Sequence, residues 1–244
     1  MFDRSGQWYD AFYAGLDYEG DARQITRLAL ALQPHARTLL DVACGTGRHL
    51  SFLRDTFTCE GVDIEPALLN VARARLPGVV LTIADMMQVD LGRRFDVVTC
   101  LFSSIGYVVT EDRLNLAAGA MANHLTPGGV LLIEPWIVPE DWRDPGSDSC
   151  EIVEQEEATL VRVISSWRSD AVTTLRIHYA RASGGQIDTE DETHTLGLFS
   201  RTQYLSACAR AGVRAEWHDP GLRGRGLVVG TLSDRGSSGR SLTS

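Results

Sequence analysis

A chain of 244 residues with 44% hydrophobic content can bury one sizeable core, with room for an inserted subdomain but not for two full domains. Its net charge of −9 argues against general attraction to nucleic acid, whose binding proteins display a basic face. The five cysteines, at 44, 59, 100, 150 and 208, are odd in number and form no C-x-x-C pair, so neither a disulfide framework nor a metal site is expected.

The N-terminal stretch MFDRSGQWYD has no basic and apolar signal pattern, and no apolar run approaches the ~20 residues that span a bilayer. The expected compartment is the cytoplasm, with no membrane partner. Phe2, Trp8, Tyr9, Phe12, Tyr13 and Tyr18 make residues 1–33 an aromatic arm. Two roles are open for it: a lid whose rings exclude water and face a cationic ligand, or an ordinary helix packed on the core. Tyr9 and Tyr18 are the stronger functional candidates. Residues 21–33 read as an amphipathic helix stopped by Pro34.

Thr38–Gly47, TLLDVACGTG, is an apolar run that ends in an acid and then a glycine turn. It reads as a buried strand feeding a tight loop into a helix, with Gly45 and Gly47 letting the backbone approach a nucleoside. Asp63 closes the next apolar run, CEGVDI, where a carboxylate grips ribose hydroxyls. Asp41 discriminates between cofactors, because it sets a negative charge where a dinucleotide would put its pyrophosphate. S-adenosylmethionine carries no phosphate and is cationic. The third glycine of G-x-G-x-x-G is also replaced, by Leu50. S-adenosylmethionine is therefore the expected cofactor, against NAD(P) as the competing reading.

Strands are expected near 38–43, 59–64, 79–84, 96–102 and 129–135, and helices near 47–55, 66–76, 111–125 and 201–212. Their alternation specifies an α/β fold with a doubly wound parallel sheet, whose crevice lies beyond the carboxyl ends of the strands. Asp85 ends the third strand, where it can accept from an adenine amine while Met86 covers the ring; a solvated turn is the other reading. The fourth strand opens into CLFSSIGY, whose Ser103, Ser104 and Tyr107 are polar where a site opens. The fifth, GVLLIEPW, closes with Glu134 and with Trp136, either a pocket wall or a core residue.

Residues 137–198 break this rhythm. TLVRVISSWRS, AVTTLRIHYARA and QIDTEDETHTLGLF alternate apolar with polar, as antiparallel strands do, and suggest an inserted β subdomain over the crevice or a dimer surface. His178 and His194 fall on opposite faces and read as structural or surface groups. The run Asp188–Glu192 reads as a solvated face. His124 reads as a helix-end residue. After the helix RTQYLSACARAG comes a terminal hairpin containing GLRGRGL, where Arg223 and Arg225 suit a phosphorylated substrate or form a flexible basic turn. Residues 234–244 read as a disordered tail of a single domain, 1–233.

DVACGTG, GVDI, ADM, CLFSSIGY, EPW and GLRGRGL, in this order, resemble the S-adenosylmethionine-dependent N,N-dimethyltransferases of TDP-amino-sugar biosynthesis over nearly the whole chain. The resemblance implies a class I methyltransferase (Rossmann-like) sheet of seven strands with the last antiparallel, a β insertion and a homodimer. It implies contacts to S-adenosylmethionine from Tyr9, Ala43, Asp63, Asp85 and Met86, with Asp41, Gly45, Gly47, Ile64 and Leu101 completing that set. Tyr18, Ser104, Tyr107, Trp136 and Arg225 would hold the TDP-amino sugar, with Arg225 on the diphosphate. Tyr107 would orient the amine, and Glu134 or water would accept its proton. The chain departs from the family's EPWWFPE in having Ile137, and its GLDY is two residues shorter than G-x-G-K-D-Y.

Overall fold

The computed structural model describes residues 5–233, so the expected tail and the first four residues of the aromatic arm lie outside the described residues. Helix α1, Ser5–Phe12, precedes α2, Tyr18–Leu32. The Asp17 side chain caps α2 by accepting from the Gly20 amide at 2.8 Å, and Glu19 and Asp21 in the first turn suit the helix dipole. Tyr18, Asp21, Ala22, Ile25 and Ala29 form its buried stripe, so the helix starts earlier than its amphipathic pattern indicated.

Then come β1 Thr38–Val42, α3 Leu50–Leu53, β2 Thr58–Asp63, α4 Pro66–Arg75, β3 Val80–Ile83 and β4 Phe95–Cys100. They are followed by a 3-10 turn, Ser104–Val108, and by α5 Glu111–Asn123 and β5 Leu125–Ile133. The insertion supplies β6 Ser147–Gln155, β7 Ala158–Ser169, β8 Val172–Ser183 and β9 Gln186–Gly197. The chain closes with α6 Arg201–Arg210, β10 Val213–His218 and β11 Leu227–Leu232. The helix expected over 47–55 is short, because Gly47 takes φ +75°, outside the helical region.

The main sheet has seven strands in the order β10-β11-β5-β4-β1-β2-β3. All neighbours are parallel except β11, which runs antiparallel to β5 and β10. This is the expected doubly wound sheet with a reversed last strand. Strand order reverses on either side of β1, so the ligand crevice falls over its carboxyl end. One core cluster packs α5 and α6 on one face around Leu114, Met121 and Tyr204. The other packs α2, α3 and α4 around Ile25, Leu50 and Leu69.

The four inserted strands form a separate antiparallel sheet, β6-β7-β8-β9. Its inner face carries Leu160, Arg162, Ile177, Tyr179, Glu192 and His194, all buried. Trp8 of α1 packs among the apolar members of this set. The outer face exposes Ile152, Val163, Trp167 and Ile187. Strand β6 carried no legible signal: SDSCEIVEQ lies at the sheet edge, almost wholly exposed, and is fixed by pairing along its whole length with β7.

The loop between β10 and β11 is closed where Gly221 bridges Gly226. Gly221 has φ +70°, and a Cβ there would sit 2.2 Å from Gly226 backbone atoms. Gly221→Ala is therefore expected to destabilise the protein by about 1–3 kcal/mol, read as a lower urea midpoint. An unchanged midpoint would show that the loop is not held in this form.

Candidate active site

At the end of β1, Ala43 and Gly45 adopt φ +59° and +55° and bend the backbone into a tight turn. The Gly45 amide donates to Asp63 Oδ2 at 2.7 Å, and the Glu65 amide donates to Oδ1 at 2.9 Å. Asp63 is thus fixed between the turn and the start of α4. Burial pushes its carboxyl up, while these amide donors pull the other way. Apart from its chain neighbours, no described residue comes within 4 Å of where a Gly45 Cβ would be, so the turn presents open backbone. Gly47 differs: its Cβ would meet Leu76 Cδ1 at 2.5 Å, so close packing against α4 accounts for this glycine.

A cavity of about 120 Å³ opens beside the turn, lined in part by Ala43, Asp63, Ile64, Asp85, Met86 and Tyr107. The Asp85 carboxylate accepts from the Met87 amide at 2.8 Å, which holds it at the cavity edge. Among the described residues the lining holds two carboxylates, the Tyr107 phenol, apolar side chains and no lysine or arginine. A larger hollow of about 340 Å³ between α2 and α3 lies away from the strand ends. Asp41 is not on the lining. It is 2% exposed beneath the turn, accepts from Thr99 Oγ1 at 2.7 Å, and burial pushes its carboxyl up to about 6. Leu101, also expected at the cofactor, is buried in the core.

The other half of the crevice is built on Glu134, which is 0% exposed. Its Oε2 accepts from the Phe102 amide at 2.7 Å and from Arg223 Nη1 at 3.1 Å. Arg223 also pairs with Asp21 and reaches His49 Nε2 at 3.4 Å. Its guanidinium lies 4.8 Å from the Phe102 ring and 5.6 Å from the Tyr18 ring. This corrects the expectation that Glu134 accepts a substrate proton: a carboxylate closed off from water and neutralised by an arginine is a poor base. Tyr18 is likewise 5% exposed, packed against His49, Arg48 and Arg223.

Arg225, by contrast, has no carboxylate within ion-pair distance among the described residues. Its Nη1 donates to Ser103 Oγ at 2.7 Å, and its guanidinium stacks 4.8 Å from the Trp136 ring. Burial, with the Arg223 charge nearby, pushes the Arg225 guanidinium down, against the pull of Glu134. Trp136 is fixed by donation from Nε1 to Thr173 Oγ1 at 2.9 Å. Ser103 makes this contact and not Ser104, which opens the following 3-10 turn. Tyr107 lies in the last part of that turn, and its hydroxyl is 2.9 Å from His194 Nδ1. His194 Nε2 lies 2.8 Å from Glu192 Oε2, and both residues are buried. Glu192 thus departs from the solvated face read for its run, while Asp191 pairs with His178 on the outer side. His124 is a helix-end residue: its ring nitrogens meet the Ala120 carbonyl and the Leu91 amide.

The aromatic arm crosses between the two halves. Asp10 of α1 accepts from Thr46 Oγ1 at 2.7 Å and pairs with Arg48 and Arg75, beside the glycine turn. Trp8 packs under the insertion, and Tyr9 and Tyr13 meet the Phe102 ring at 6.4 and 5.0 Å. Phe102, Asp21, His49 and Glu192 were missed from sequence, and Ser103, read only as a polar group where a site opens, is the one that meets Arg225. Phe102 and Ser103 lay inside a motif that was singled out, and both adopt positive φ, at +56° and +64°. Such strain at a strand end marks functional turns. Glu192 and His194 share a face with buried Leu196, an alternation that could have flagged them.

A nucleoside turn at the switch point, a lining of carboxylates without cations, and a reversed last strand define a class I S-adenosylmethionine-dependent methyltransferase. The family model described as a methyltransferase domain matches residues 39–129. The chain is 39% identical to the dTDP-3-amino-3,4,6-trideoxy-alpha-D-glucopyranose N,N-dimethyltransferase of Streptomyces venezuelae, over 91% of this chain and 95% of the relative. It is 40% identical to the dTDP-3-amino-3,6-dideoxy-alpha-D-glucopyranose N,N-dimethyltransferase of Streptomyces fradiae, over 92% and 88% respectively. The solved structure of S-adenosylmethionine-bound CalS10, an amino pentose methyltransferase from Micromonospora echinaspora involved in calicheamicin biosynthesis, superposes with a TM-score of 0.84 at 37% identity. That match covers 96% of this chain and 98% of the other. The chain belongs to the dTDP-amino-sugar N,N-dimethyltransferase family.

Two predictions follow from the buried charges. Arg223→Ala leaves Glu134 unpaired and is expected to cost about 3–5 kcal/mol in urea unfolding, with part regained in Arg223→Ala/Glu134→Gln. Equal stability of the single variant and wild type would contradict the pairing. For Asp41, the folded carboxyl at about 6 lies above its ordinary 3.8. Its contribution to stability is therefore full below pH 3.8 and is lost as pH rises through about 6. Wild type should lose about 3 kcal/mol relative to Asp41→Asn across that window. Parallel pH curves would contradict the assignment.

Proposed function

We propose that this enzyme methylates the amino group of a dTDP-linked deoxy amino sugar to the N,N-dimethylamino stage, in the making of an antibiotic sugar. The observation that carries the reading is Arg225. It is a guanidinium on an indole face with no carboxylate partner among the described residues, tied through Ser103 to the turn that holds Tyr107. A half-buried cation with no carboxylate in ion-pair contact among the described residues is a receptor for an anion, and arginine suits the oxygens of a diphosphate. The names of the relatives supply the rest of the acceptor: a dTDP group and a sugar amine.

S-adenosylmethionine, when bound, supplies a methyl group already activated on a cationic sulfur. Asp63, Asp85 and Met86 would hold it, with the open backbone at Ala43 and Gly45. Because the donor is already activated, the protein's main tasks are alignment, exclusion of water and management of the amine's protons. Tyr107 lines the cavity and orients the amine; Trp136 and Arg225 fix the sugar nucleotide; α1 and the rings of Tyr9 and Tyr13 act as a lid. The reading includes a cytoplasmic homodimer, supported by the apolar outer face of the insertion, where Ile152 is 63% and Ile187 73% exposed.

The purified enzyme, given S-adenosylmethionine and dTDP-amino sugars with the amine at different carbons, should add one and then two methyl groups, read by mass spectrometry. Arg225→Met should raise KM for the sugar nucleotide about 10- to 100-fold while leaving S-adenosylmethionine affinity unchanged. An unchanged KM would contradict the diphosphate assignment.

A further inference from the structure

Glu192 and His194 occupy alternate positions of β9, so their side chains share the face that packs on the 3-10 turn carrying Tyr107. They form a chain of hydrogen bonds: Glu192 Oε2 to His194 Nε2 at 2.8 Å, and His194 Nδ1 to the Tyr107 hydroxyl at 2.9 Å. Glu192 is 5% and His194 3% exposed, whereas Tyr107 is 37% exposed and lines the cavity. A buried carboxylate and imidazole thus stand behind Tyr107, the one tyrosine on the cavity lining among the described residues.

The direction of these bonds follows from the end group. An ionised carboxylate can only accept, so the imidazole proton belongs on Nε2, facing Glu192. Nδ1 is then a lone pair, and the Tyr107 O–H donates to it. The single phenolic proton is committed inward, which leaves the phenol oxygen as an acceptor. The groups around Tyr107 and His194 do not reverse this. Tyr13 comes from the arm, Tyr179 from β8 and Asp63 from β2, and Leu175 stands opposite His194 on β8. The Arg162 cation on the same face of β7 is engaged by Glu151 and by the Phe12 and Tyr13 rings. Partial desolvation of its hydroxyl against the insertion, with the Tyr13 phenol and the Glu192 charge beside it, pushes the Tyr107 phenol up, so it stays protonated and cannot act as a standing phenolate.

We propose that Glu192 and His194 make Tyr107 a proton acceptor for the substrate ammonium, and so allow two successive methylations. The inference rests on the reading that the acceptor is an amine. An amine that has taken a methyl group is an ammonium, and it must lose a proton before it can take a second. In the step, the ammonium N–H breaks and its proton passes to the Tyr107 oxygen, while the Tyr107 proton passes to His194 Nδ1. The products are a neutral amine, a neutral phenol and an imidazolium held by the Glu192 carboxylate. Atoms and charge balance with no further reactant. Tyr107 is the catalytic residue; His194 and Glu192 are positioning residues that set its polarity.

The test is the pH profile of kcat for wild type, Glu192→Gln, His194→Gln and Tyr107→Phe, on the dTDP-amino sugar and on its monomethyl form. Near neutrality the variants should lose about 10- to 100-fold in kcat, with KM and S-adenosylmethionine affinity unchanged. They should release monomethyl product and regain turnover at alkaline pH, where the amine is already neutral. A loss of the same size at every pH, or a change in KM alone, would overturn the proposal. Tyr107→Phe leaves the Glu192–His194 pair intact and keeps the test open if a buried substitution fails to fold. If wild type methylates no dTDP-amino sugar, the substrate reading fails; if it does and all variants keep its pH profile, the relay fails alone.

Discussion

The crevice depends on a carboxylate that never meets water. Glu134 lies at the end of β5, and its burial is tolerable only because the Phe102 amide and Arg223 satisfy it. That requirement pulls in distant parts of the chain. Arg223 brings the β10–β11 loop over the strand ends and, through Asp21 and His49, joins it to α2 and to the turn before α3. The Phe102 amide, bonded to the same carboxylate, holds the strained end of β4 in place. Ser103, Tyr107, Trp136 and Arg225 take their positions from this knot.

Around it the charges divide. On the β1–β2 side, carboxylates and apolar groups line the cavity with no cation among the described residues, which suits a cationic donor. On the β4–β5 side, the Arg223 charge is spent on the structure and the Arg225 charge is not. Two neighbouring arginines in one GLRGRG loop therefore do different work. The difference lies in their partners: Arg223 meets Glu134 and Asp21, while Arg225 meets a serine and an indole face. The insertion completes the crevice from above, with its inner face set toward α1 and the Tyr107 turn.

Much of this was legible in the sequence because it is written in local patterns. The apolar runs ending at Val42, Asp63 and Cys100 gave the strands, and Gly45 followed by Asp63 gave the nucleoside turn. What escaped was set by contacts between residues remote in sequence. Glu134 looked like a proton acceptor because nothing nearby in the chain reveals that Arg223 neutralises it. Glu192 looked like one more acid in a solvated run, because its burial follows from the register of β9 against β8 and from the turn it packs on. Strand β6 is mostly polar and almost wholly exposed, and its place is set by pairing with β7. Asp41 was read at the correct end of β1, but the Thr99 bond beneath the turn keeps it off the cavity wall.

The central claim is that one half of the crevice is built for a cationic methyl donor and the other, separately, for a nucleoside diphosphate. Calorimetric titration of the purified protein with S-adenosylmethionine, dTDP and NAD, singly and together, tests it most directly. The account predicts that S-adenosylmethionine and dTDP bind at the same time without displacing one another, and that NAD does not bind. Displacement of S-adenosylmethionine by dTDP, or saturable binding of NAD, would contradict it.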